Sequence, residues 1–166
     1  MKKLILVSAI LFLLSGCSLD VFGNAKADEL VEFNNEKLNK ILKMEEEATK
    51  PILEAANGYD LDVLIEAVEG AKPEYDKMVK EIDSWEFDTD EIQAKVKELR
   101  EIVVMTRDNL DVQVEAFKTE NDEKLNEAEE NQMEIEKKAE KFDKDLNKLA
   151  DEWDVEITDQ ELESES

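Results

Sequence analysis

Cys17 is the only cysteine in the 166-residue sequence, and its thiol is the one strong nucleophile the chain carries. What that thiol can do depends on its surroundings. Lys2 and Lys3 are followed by a run from Leu4 to Leu14 that contains nothing more polar than Ser8, and then by the small residues Ser15 and Gly16. A basic start, a greasy run of this length and small residues behind it form the layout of a secretory signal. A membrane-spanning helix needs roughly 20 apolar residues, and Ser15, Gly16, Ser18 and Asp20 end the run too early for that. Beyond Cys17 the chemical inventory consists of carboxylates, with 45 acidic residues against 21 basic ones and no histidine. Lack of histidine removes the commonest general base, the commonest transition-metal ligand and the usual catalytic triads. No glycine-rich phosphate loop is present either, so a non-enzymatic protein is expected.

The residues Leu14-Ser15-Gly16-Cys17, placed directly after the apolar run, resemble the lipobox of bacterial lipoproteins. The resemblance implies that Cys17 is diacylated, that the chain is cut just before it, and that residues 1–16 are a removed signal peptide. The chemistry calls for a thiolate to attack the lipid donor and for small neighbours that let a peptidase reach the backbone. Two acyl chains hold a protein stably at a membrane where one does not, at about 0.8 kcal/mol per buried methylene. With Cys17 consumed by lipid, no disulfide remains to support the exported domain, which must be stable through packing alone. The expected location is therefore the extracytoplasmic face of the cell membrane, reached through a lipid anchor. The alternative is an ordinary signal peptide that leaves Cys17 as a spare thiol.

Net charge is −24, and removal of Lys2 and Lys3 lowers it by two more. Such acidity excludes nucleic acid, whose phosphates need a basic footprint, and disfavours lying flat on anionic lipid. It favours a cationic protein as partner. In lipobox, size and helical, Lys/Glu-rich character, the chain is similar to the small helical lipoproteins of Gram-positive bacteria described as cell-wall-binding. That resemblance implies a binding or interaction module at the cell envelope, with a cell-wall component as a second candidate partner. The competing function is a small-molecule or ion receptor lipoprotein. The densest groups of oxygen ligands are Glu45-Glu46-Glu47, Asp88/Asp90/Glu91 and Glu127/Glu129/Glu130. A dedicated Ca²⁺ site gathers its ligands with a turn, whereas acids on helices fan out, so solvated faces without metal or cofactor are expected.

The elements that would carry these residues are helices. Four glycines and two prolines are too few for the turns of a β-fold, and neither type occurs after Pro73. After a tether at 17–27, the apolar residues Val31, Leu38, Ile41, Ala48, Ile52 and Ala55 give a first helix over 28–56. Asn34 and Glu45 fall on its inward register, and Pro51 is a candidate kink. Asp60 caps a second helix whose stripe, Leu61, Leu64, Val68, Ala71, Tyr75, Met78, Ile82 and Trp85, keeps its phase through Gly70 and Pro73. Asp88 with Glu91 reads as a capping box, and Phe87 with Ile92 as a hydrophobic staple. From Ile92 to Trp153 the stripe advances by close to 3.6 residues per step, as in a straight helix. That segment is either one helix or two with a turn in KTENDEK at 118–124. The whole reads as an all-α, antiparallel up-down bundle of three to four long, coiled-coil-like helices over 28–153. An acidic disordered tail is expected at 154–166. The last helix has a narrow stripe, which makes Phe142, Leu146 and Trp153 a candidate exposed strip for a partner.

Overall fold

The computed structural model describes residues 25–58 and 60–157. Residues 1–24, Cys17 and the lipobox among them, Tyr59, and the tail from 158 lie outside the described residues. The chain forms α1 (Ala25–Glu32), a π-helical turn (Phe33–Leu38), α2 (Asn39–Asn57), α3 (Leu61–Ile82), α4 (Asp90–Thr119) and α5 (Asp122–Trp153). No strand occurs among the described residues, and the helices pack on one another as an all-α bundle. No described helix is long and apolar enough to cross a membrane.

Side-chain pairs along neighbouring helices fix the antiparallel order. Between α3 and α4, Asp83 meets Arg100, Asp76 meets Arg107, Lys72 meets Asp111 and Glu69 meets Lys118. Between α4 and α5, Lys95 lies near Asp145, Glu101 pairs with Lys138 and Glu115 with Lys124. Numbers rise on one helix as they fall on the next. Apart from buried Lys95 and half-buried Arg107, these pairs are largely exposed and set register more than stability, since an exposed pair is worth about 0–1 kcal/mol.

The first arm starts at Ala25, within the stretch expected to be tether, and Ala27 and Leu30 are already buried. Its core positions run Leu30, Phe33, Leu38, Ile41. The step of five from Phe33 to Leu38 does not fit an α-helix, and the π-helical turn accommodates it by adding one residue to the turn. Asn39 steadies the turn by donating to the carbonyl of Asn35 at 2.7 Å. Pro51 interrupts neither the register nor the length of α2. α3 likewise runs through Gly70 and Pro73, and Asp60 caps it by accepting from the backbone N–H groups of Asp62 at 3.1 Å and Val63 at 3.3 Å.

Two expectations at helix ends are corrected. The N-cap of α4 is Thr89, not Asp88, so Asp88 with Glu91 does not form a capping box. Glu29 of α1 reaches across the bundle instead and accepts from the backbone N–H of Asp88 at 3.3 Å and of Thr89 at 2.9 Å. Gln93, not Glu91, takes the N–H of Phe87, at 3.2 Å. The second correction lies at the C-terminus, where Val155 and Ile157 are buried in the core rather than part of a free tail. Asp154 in the left-handed region turns the chain, and the N–H of Val155 bonds the carbonyl of Ala150 at 2.9 Å, which closes a Schellman motif.

The segment 92–153 is two helices. Glu120 adopts the left-handed conformation, and Asn121 then donates its N–H to Ala116 while its side chain caps α5 through Glu123 and Lys124. The reversal falls inside KTENDEK.

Candidate functional site

The interior is not uniformly apolar. Tyr75, 1% exposed, donates its hydroxyl to Glu45 at 3.3 Å from α3 to α2. Register carries this layer across the bundle. Asp76, next to Tyr75, pairs with Arg107, and two residues farther along α4 Asn109 donates to the carbonyl of Ala128 in α5 at 3.2 Å. Gln113 lies one turn beyond Asn109 on α4, and Gln132 one turn beyond Ala128 on α5; both are buried, as is Thr106, which bonds back to Ile102. Asn109 Oδ1 and Gln113 Oε1 have no hydrogen-bond partner among the described residues. Buried polar groups of this kind select one register over slipped alternatives while adding little stability.

Burial pushes the carboxyl of Glu45 up to about 7, against the hydrogen bond from Tyr75, which lowers it. Burial also raises the Tyr75 hydroxyl well above its ordinary value, with the charge of Glu45 and their hydrogen bond acting in the same direction. Glu45 is thus the one member of its acidic triplet turned into the protein, and its neighbours Glu46 and Glu47 are exposed. The other triplets spread apart. Asp88 and Asp90 are exposed, Glu91 pairs with Lys26 at 2.8 Å, and Glu127 pairs with Lys124 while Glu129 and Glu130 face solvent. No group of three or more possible metal ligands converges among the described residues.

The strip expected on the last helix is not a surface. Phe142 and Leu146 are fully buried and Trp153 is half-buried, with the Lys26 ammonium 5.4 Å from its ring centre. Phe142 packs edge-on against Phe33 at 6.3 Å, and Phe33 in turn meets Trp85 at 6.3 Å and Phe87 at 5.9 Å. The narrow stripe misled because the first arm supplies cover through Phe33, and Val155 and Ile157 beyond Trp153 are buried in the same core.

Exposed apolar residues gather elsewhere. Leu53, Leu61 and Val63 are 40%, 41% and 49% exposed around the α2–α3 turn, and Met133 is the other large exposed apolar side chain among the described residues. Of these, Val63 lines an open cleft of about 560 Å³, which Pro51, Glu54, Ala55 and Gly58 form on one side and Asp60, Val63, Glu66 and Ala67 on the other. Sequence reading overlooked it because Val63 falls off the α3 stripe and local periodicity assigns it no role. The signal was the base-free stretch 51–71, which holds five acids.

No protein-family model, curated protein or solved structure matches the chain.

Proposed function

We propose that this protein is a lipid-anchored, extracytoplasmic binding module of the cell envelope that works by holding a partner, not by catalysis. The observation that carries the reading is Leu14-Ser15-Gly16-Cys17 placed directly after the apolar run. Cys17 is the lipidated residue, residues 1–16 are the signal peptide, and the lipid bilayer is the first partner. The bundle is compatible with that role. Helix begins at Ala25, so the seven residues 18–24 reach at most about 25 Å at 3.3–3.6 Å per residue. The α1 end then sits close to the membrane, while the α2–α3 and α4–α5 turns, which lie at the far end of the antiparallel helices, face outward. Acidic charge over the whole domain keeps it clear of anionic headgroups, and a cationic partner suits it better than an anionic wall polymer.

Growth of an expressing bacterium with labelled palmitate tests the anchor. Wild-type protein carries label and partitions into detergent, and Cys17→Ala does neither. Equal labelling of both would end the reading.

A further inference from the structure

We propose that the cleft between the end of α2 and the start of α3 is a docking site for a cationic amphipathic helical segment of another protein. The inference deepens the binding-module reading, on which it rests for orientation alone. Three features of the cleft select the occupant.

The first is apolar area that the fold leaves uncovered. Val63, 49% exposed, lines the cleft together with Pro51, Ala55 and Ala67, and uncovered apolar surface rimmed by polar residues marks an interaction site. The second is shape. Ala55, Gly58 and Ala67 put small side chains along an open cleft of about 560 Å³, so a third helix can settle between two helix ends as helices do in one another's grooves.

The third is charge, which excludes an acidic or neutral occupant. Residues 51–71 hold Glu54, Asp60, Asp62, Glu66 and Glu69 and no lysine or arginine. Of these, Glu69 is matched by Lys118, and Asp60 is engaged with the α3 N-terminus. Glu54 and Glu66 stand on opposite walls of the cleft without a counter-cation among the described residues. Elsewhere on the bundle, lysine and arginine side chains answer many of the acids across helix seams. A segment with leucine-like side chains on one face and lysines along its edges would cover Val63 and place its ammonium groups at Glu54 and Glu66. Rim charges of this type govern association rate and salt dependence, and the apolar floor governs residence.

The test uses the full chain carrying Cys17→Ala, in solution, and a fluorescent synthetic amphipathic lysine/leucine helix as probe, followed by anisotropy at low and high salt. Expected is saturable binding that weakens with salt and that falls at least about tenfold in Glu54→Gln/Val63→Ser/Glu66→Gln, as loss of an anchor and its rim does. Glu129→Gln/Glu130→Gln, an equal charge change on the exposed face of α5, shifts binding by less than about twofold. Circular dichroism of the variants confirms the fold, and Glu66→Gln alone provides a milder step if the triple variant melts. Equal weakening by the two charge variants would assign binding to the general acidic field and overturn the site, as would failure of the probe to saturate the unaltered cleft. Because Cys17 is absent throughout, failure of the lipid anchor leaves this result unaffected, and the two proposals can fail separately.

Discussion

Where the described chain begins, Phe33 meets the rings of Trp85, Phe87 and Phe142, Glu29 grips the α3–α4 loop, and Val155 and Ile157 fold in over the top. At the opposite end, beyond the Glu45–Tyr75 layer, α2 packs closely on α3 and α5 on α4, and close approach of the first arm to α5 is concentrated at α1. One end is closed by large side chains. The other is closed by aliphatic side chains such as Ile52, Leu64 and Leu110, by the small Ala116 and Ala128, and by amides two of whose acceptors lack partners. Packing energy follows apolar volume, while polar layers trade stability for register. The α1 end therefore holds the fold through aromatic packing, whereas the far end gains register from its polar groups.

Loss of an aromatic ring at the closed end should cost the most. Phe33 has no exposed surface and touches three aromatic rings, so Phe33→Ala should cost about 3–5 kcal/mol in urea unfolding. Leu53→Ala, at a residue 40% exposed at the far end, should cost less than about 0.5 kcal/mol. Similar midpoints for the two variants would mean that the ends do not differ.

The boundary between the ends should respond to pH. Glu45 titrates near 7 in the fold against an ordinary 4.5, so between those values the folded state holds a proton that the unfolded chain has released. Stability from this group therefore falls as pH rises from 4.5 to 7 and stays reduced above 7. At 1.36 kcal/mol per pH unit, discounted for a half-buried side chain, the penalty is about 1–3 kcal/mol. Glu45→Gln should be more stable than wild type by that amount at pH 8 and equal to it at pH 4.5. The acids Glu81, Asp83, Glu91 and Asp145 are shifted the other way, chiefly by hydrogen bonds from Lys40, Arg100, Lys26 and Lys141 respectively. Their contribution is lost as pH falls through the carboxylate range, so the two effects occupy different windows. A constant gap between wild type and variant across pH would remove Glu45 as the cause.

The clasp at the closed end gives a smaller effect. Glu29→Ala leaves the N–H groups of Asp88 and Thr89 without their carboxylate and should cost about 1–2 kcal/mol. Glu29→Gln, which keeps one acceptor, should recover part of it. If both variants unfold like wild type, solvent replaces the clasp without loss.

Helix positions and the α3 cap were legible in the sequence because each is a local signal: a period near 3.6, Asp60 before Leu61, and polar residues at the α4–α5 reversal. What escaped depends on distant partners. Glu29 lies 60 residues from the Thr89 N–H that it satisfies, and no local pattern announces such a bond. Leu30 and Phe33 were visible apolar residues, yet a search for steps of three and four passes over them, since only a π turn reconciles them with Leu38. Val155 and Ile157 were outweighed by the charge of their neighbours, although two apolar residues at alternate positions suffice to cover a short end of a core. The α2–α3 cleft escaped because exposure, unlike periodicity, is a property of the assembled surface. Asn34 and Glu45 were read correctly as inward-facing, and the sequence did not contain the information that Tyr75 would meet Glu45.

The far end can also be strengthened modestly without touching its core. Glu120 occupies the left-handed region at φ 48°, ψ 39°, and it sits at the residue just past α4 where glycine is the usual choice. A side chain there crowds the following carbonyl, at a cost of about 1 kcal/mol. Glycine removes the crowding but gives the unfolded chain more freedom, which takes back part of the gain. Glu120→Gly should therefore stabilise by about 0.5–1 kcal/mol, seen as a higher urea midpoint with an unchanged slope. The hydrogen bonds that form the reversal include the backbone N–H groups reaching Ala116 and the Asn121 cap, and glycine at 120 leaves all of these in place. If that reversal limits only the far end, hydrogen exchange should slow at the amides of 113–128 and remain unchanged around Phe33 and Phe142. Uniform slowing along all the helices would mean instead that the bundle opens as one unit and that its two ends are not separable.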